Sequence, residues 1–142
     1  MVIALVALFA FGPGYALAGD KTLKIDPRHV VGFQNMQSEI TSMLVVLGYE
    51  QVPLRDSSTG QPVLVAEEYG QYRMLFRAAD NGAVQVEVHI RITDNVTGLR
   101  FSEVGADQPG DAALEYFRKL KDRIVLEFGA KSVSDKHPFI AP

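Results

Sequence analysis

The chain has 142 residues, 47% hydrophobic and 22% charged, which suits one compact domain and leaves too little for two separate cores. Fourteen Lys and Arg against seventeen Asp and Glu give a formal charge of -3, so no bulk attraction to nucleic acid or to an acidic membrane is expected. There is no cysteine, which excludes a disulfide framework, a thiolate nucleophile and Cys-ligated zinc or iron–sulfur clusters.

From Val2 to Phe11 every residue is apolar; Gly12-Pro13-Gly14 then breaks the run, and Ala16 and Ala18 precede the first charge at Asp20. This is the layout of a secretory signal peptide: a short apolar stretch that export machinery can thread, a helix break, and small residues that fit a peptidase pocket. Cleavage is expected after Ala18. The usual basic start is missing, since only Met1 precedes the run. An uncleaved N-terminal membrane anchor is the alternative, but it needs roughly 20 uninterrupted apolar residues, and the break at Gly12 comes too soon. The expected organisation is a signal peptide over 1–18, a single α+β domain over 19–130 and a flexible tail over 131–142. The expected location is periplasmic or extracellular, with no stable membrane insertion once the signal is removed.

After a short polar leader, Asp26-Pro27 has the chemistry of a helix start. Phe33, Met36, Ile40, Met43, Leu44 and Leu47 recur at three- and four-residue spacing, and Gly48 is the natural stop. Tyr49 to Leu54 and Pro62 to Glu67 read as short strands, separated by the turn-forming run Arg55 to Gly60. From Tyr72 to Ala78 the pattern alternates strictly, and Asp80-Asn81-Gly82 turns the chain. A three-residue loop with Gly82 left-handed would set Phe76 opposite Val86 and Met74 opposite Val88. Val84, Val86, Val88, Ile90 and Ile92 then point inward, with Gln85, Glu87, His89, Arg91 and Thr93 outward. A turn at Asp94 to Thr97 leads to a strand with Leu99 and Phe101 on the core face, ending near Gly105. Pro109 and Asp111 open a last helix with the stripe Ala113, Leu114, Phe117, Leu120, Ile124 and Phe128, closed by Gly129.

The order predicts a two-layer α+β sandwich: helix, antiparallel meander of four to five strands, helix. Both helices are expected on the apolar sheet face, leaving the other face to water.

Catalytic sets are not found. His29, His89 and His137 stand singly without metal-ligand spacing, and no Ser lies in a nucleophile elbow. Glu67-Glu68 is the one adjacent carboxylate pair, but strand neighbours point to opposite faces, away from a shared cleft. Neither a metal nor a cofactor is expected. Asn95-Val96-Thr97 has the form of a glycosylation acceptor.

One feature rises above background. Arg73, Arg77, His89, Arg91 and Arg100 share the outward sheet face with Glu87, a guanidinium-rich surface in an acidic protein, suited to carboxylates or phosphates; it equally resembles the polar cover of any wet sheet. Leu75 and Val104 share that face. The expectation is a non-enzymatic binding or accessory protein that contacts a protein partner, not nucleic acid, through this face or a sheet edge. Two alternatives stand beside it: an inhibitor or immunity protein that blocks another enzyme, and a small-ligand carrier or enzyme with a helix–sheet cleft to which Tyr49, Tyr69, Tyr72 and Tyr116 contribute.

Overall fold

The computed structural model describes residues 21–26, 36–105 and 110–135. The predicted signal over 1–18, the helix start at Pro27, Phe33, His29, Pro109 and His137 lie outside them. Among the described residues the fold is a mixed one, with two helices and an open antiparallel sheet. Its elements are β1 (Lys21–Ile25), α1 (Met36–Val46), β2 (Tyr49–Val52), β3 (Leu54–Arg55), β4 (Pro62–Val63), β5 (Ala66–Glu68), β6 (Gln71–Ala78), β7 (Asn81–Arg91), β8 (Thr97–Glu103), α2 (Asp111–Phe128), a 3-10 turn (Ala130–Ser132) and β9 (Val133–Ser134).

The main sheet has seven strands in the order β2-β6-β7-β8-β1-β9, with β5 also paired to β6, and β3 and β4 form a separate small ribbon. The centre is the predicted meander β6-β7-β8. Phe76 lies opposite Val86 and Met74 opposite Val88, as the alternation requires. The turn between them differs from expectation. Ala78 pairs with Asn81, and the register shifts at Arg77/Ala78, so the extra residues are absorbed as a bulge in β7 and not in a three-residue loop. Gly82 is not among the left-handed glycines. The Asn81 side chain instead accepts a bond from the Ala83 N–H at 3.3 Å, and parity is preserved either way.

Two strands come from segments expected to be irregular. The polar leader forms β1, with Leu23 opposite Leu99 and Ile25 opposite Thr97, and both of these apolar side chains are buried. The tail begins with β9, where Val133 pairs with Ile25 and Ser134 with Lys24, and the Asp26 N–H donates to the Ser132 carbonyl at 2.7 Å. Val133 and Ser134 therefore belong to the sheet, and the 3-10 turn before them and the Lys121–Asp135 ion pair after them hold residues 131–135 against the domain. A chain ended after Gly129 is expected to be about 2 kcal/mol less stable than one ended after Asp135, through lost strand hydrogen bonds and burial; urea unfolding of the two checks this, and equal midpoints would refute it.

The core is one buried cluster. It joins Met36, Ile40, Met43 and Leu44 of α1 and Ala113, Leu120, Ile124 and Phe128 of α2 to the apolar rows of β1, β6, β7 and β8. Ile92, predicted to face inward, is 37% exposed: β7 ends at Arg91, and the Ile92 N–H turns to the Gly70 carbonyl instead. Gly48, with φ +96°, ends the turn after α1, and its carbonyl accepts the Ala79 N–H at 2.9 Å. This bond ties the exit of α1 to the turn between β6 and β7, which matters below.

Candidate functional site

The sheet places Arg73 on β6, Glu87 and His89 on β7 and Arg100 on β8 at neighbouring register positions, with Arg73 opposite His89 and Glu87 opposite Arg100. Their side chains converge. Glu87 Oε1 accepts from Arg100, Glu87 Oε2 lies 2.7 Å from His89 Nε2, and Arg73 NH2 stands 3.6 Å away. The other imidazole nitrogen, Nδ1, is 2.6 Å from Gln71 Oε1. Arg73 also reaches Glu68 across the β5–β6 turn at 3.3 Å. Burial, the largest single influence on the Glu87 carboxyl, pushes its pKa up; the His89 hydrogen bond and the charge and hydrogen bond of Arg100 outweigh it and hold the pKa down at about 2. The cluster is half-buried, and Glu87 stays ionised across ordinary pH. Within it, Gln71 is 1% exposed, and its Nε2, like Arg73 Nε, has no hydrogen-bond partner among the described residues.

The remaining two predicted residues sit apart. Arg77 binds Glu50 of β2, with Nε at 3.1 Å, and Arg91 makes a two-pronged contact with Asp94, both bonds 3.0 Å. The face is therefore less basic than its own strand residues imply. Glu50, Glu68 and Asp94 join Glu87, setting four carboxylates against four arginines. Asp94, three residues from Arg91, carried a local signal. Glu50 carried none, because only the pairing of β2 with β6 brings it to Arg77. Of the other sequence candidates, Glu67 is exposed while Glu68 is turned to Arg73, so the adjacent carboxylates share no site. Val104 is 57% exposed. Among the described residues no group of three His, Asp or Glu is arranged to hold a metal ion, and no helix is long and apolar enough to cross a membrane.

A second locus lies at one end of the sheet. Where the Leu47-Gly48 turn, the Ala79-Asp80 turn and the first half of α2 meet, they enclose a cleft of about 490 Å³, within the range of small-molecule sites. Ala112, Glu115, Tyr116 and Lys119 line it at helical spacing, and Tyr49 and Leu120 contribute from the core side. The Tyr49 and Tyr116 rings meet edge-to-face, centroids 6.3 Å apart at 69°. The Tyr116 hydroxyl donates to Asp80, which raises its pKa. The Tyr49 hydroxyl is buried and has no partner among the described residues; burial first, then the neighbouring Tyr116 and Asp80, push its ionisation far above the usual phenol range, so it is a neutral hydroxyl. Of the four tyrosines expected at a cleft, these two meet there. Tyr69 stands 75% exposed at the β5–β6 turn with φ +52°, and Tyr72 packs against the core cluster.

No family model, curated protein or solved structure matches this chain. The functional reading therefore rests on the residues themselves.

Proposed function

We propose that this is a small exported binding protein, not an enzyme, whose two helices both cover the apolar sheet face while the opposite face engages a protein partner. Export is supported by the apolar run from Val2 to Phe11 with its Gly-Pro break and Ala16/Ala18. Moreover, the first described strand starts at Lys21, so cleavage after Ala18 would spare every described element.

The observation that carries the binding reading is the Glu87 cluster. Five polar or charged side chains from β6, β7 and β8 are already held in one arrangement, so a partner would meet guanidinium edges that lose little further freedom on contact. Because carboxylates balance the arginines, the fitting partner is a folded protein surface of mixed charge and not a polyanion.

The test places a photo-crosslinking residue at Gln85, on this face, and at Leu126, exposed on α2. A discrete protein adduct is expected from position 85 alone, on chains that lack residues 1–18 by intact mass. Arg77→Glu with Arg91→Glu, both at exposed pairs outside the Glu87 cluster, should weaken it by about tenfold or more. Adducts from position 126 only, or an unchanged yield in the double variant, would refute the face as the site.

A second reading is favoured by the cleft. Its volume, its apolar floor and the unpartnered Tyr49 hydroxyl suit a carrier of a small ligand.

A further inference from the structure

We infer that the cleft between α2 and the β6–β7 turn is a site for a small organic cation: an ammonium group on an apolar, ring-sized body. The inference rests on the small-ligand reading and names the chemical class that such a ligand must have. Three observations converge on it.

The first is a hydroxyl that has no partner among the described residues. Tyr49 is 5% exposed, and a buried hydroxyl normally has a partner. Its oxygen offers an unused acceptor, and its raised ionisation keeps it from being an anion that would bind protons itself. The second is the sign of the charge around it. Asp80 holds the Tyr116 hydroxyl through one oxygen, Oδ1, which leaves acceptor capacity on the carboxylate for an N–H donor. Glu115 adds a second carboxylate, already paired with Arg118 at 2.7 Å, and Lys119 is the one cation of the lining. An anionic ligand would face the Asp80 carboxylate, whereas an ammonium is attracted by it. The third is the aromatic pair. Phenol faces carry the negative side of the ring quadrupole and attract cations, with the energy rising as water is excluded. Leu47 and Leu120 supply apolar surface for the rest of the ligand. A neutral ligand could use the apolar wall but would gain nothing from the charge of Asp80.

The test is a matched series on the full chain: benzylamine, benzyl alcohol and benzoate share one ring and differ in charge. Binding is followed by amide chemical shifts in two-dimensional NMR at pH 7. Benzylamine is expected to shift the amides of Gly48, Asp80 and Tyr116 selectively and to bind about tenfold more tightly than the alcohol, with benzoate weakest. Asp80→Asn should remove most of that preference while the alcohol's affinity stays the same. Because Asp80 is exposed in a turn, this variant is expected to fold; a wild-type melting profile confirms it, and the wild-type series alone remains decisive if it does not.

The failures separate. If the alcohol or benzoate binds at the cleft as well as or better than the amine, the cation inference falls and the ligand-carrier reading survives. If no member shifts cleft amides, both fall. Saturable benzylamine shifts confined to some other surface would also overturn the inference.

Discussion

Glu87→Gln is expected to destabilise the protein by about 3 kcal/mol at pH 5, and the loss should shrink to roughly half by pH 3. The sign follows from the direction of the shift. The folded-state carboxyl titrates at about 2 against an ordinary value of 4.5. Folding therefore favours the ionised form, and the stabilisation is fully present above the unfolded value. It is lost as the pH falls from about 4.5 toward 2, where the unfolded chain takes up a proton that the native carboxylate resists. The amide keeps the side chain's size but leaves Arg73 and Arg100 without their shared counter-ion and His89 without its carboxylate partner, and stranding half-buried guanidinium charges is costly. Urea unfolding of both proteins at pH 5 and pH 3 checks this. A difference that is the same at the two pH values would show that Glu87 acts by packing and not by charge.

This cluster also shows how far sequence alone reaches into the site. The alternation of β6 and β7 put Arg73, Glu87 and His89 on one face, and the turn after Arg91 put Arg100 beside them, because parity in a hairpin is a local property. The ion pairing was not local in the same way. Glu50 reaches Arg77 only because β2 pairs with β6, with more than twenty residues of intervening chain, and no periodicity reports which strands become neighbours. The cleft is of the same kind. Tyr49, Asp80 and Tyr116 come from three separate stretches of chain, the first two brought together by the Gly48–Ala79 hydrogen bond and the third by the Tyr116–Asp80 bond, so a list of tyrosines could include the right two without distinguishing them from Tyr69 and Tyr72.

The fold divides along the same line. Long periodic segments such as α2 and β7 declared themselves, and Gly129, with φ +88° and its N–H on the Val125 carbonyl, stops α2 where its sequence says it should. β1 and β9 were missed for a physical reason. Five and two residues are too few to show a period, and both are strands only because β8 and β1 offer open edges for them to pair with. Bulge or loop could not be told apart at Asn81-Gly82 either, since both give the same register beyond Gln85.

Phe76→Ala is expected to cost about 3–5 kcal/mol, while Arg77→Ala, one residue on, should cost less than about 1 kcal/mol. Phe76 is completely buried, flanked across the sheet by Gln51 of β2 and Val86 of β7, and part of the one cluster that both helices share. Removing the ring there leaves a cavity that the surrounding strands can fill only by moving together, and strands fixed by their ladders move little. Arg77 faces the other way, with its side chain 44% exposed and its Glu50 partner 50% exposed, so water replaces most of what the ion pair gave. Since a domain of this size is stable by only about 5–15 kcal/mol in all, and with no cysteine this one has no disulfide to constrain its unfolded chain, the Phe76 variant should populate unfolded chain measurably at 37 °C. Thermal and urea unfolding of the two variants side by side is the measurement. Comparable losses at both positions would mean that the two faces of β6 are not divided into core and solvent, and the proposal that both helices cover the Phe76 side would fall with that division.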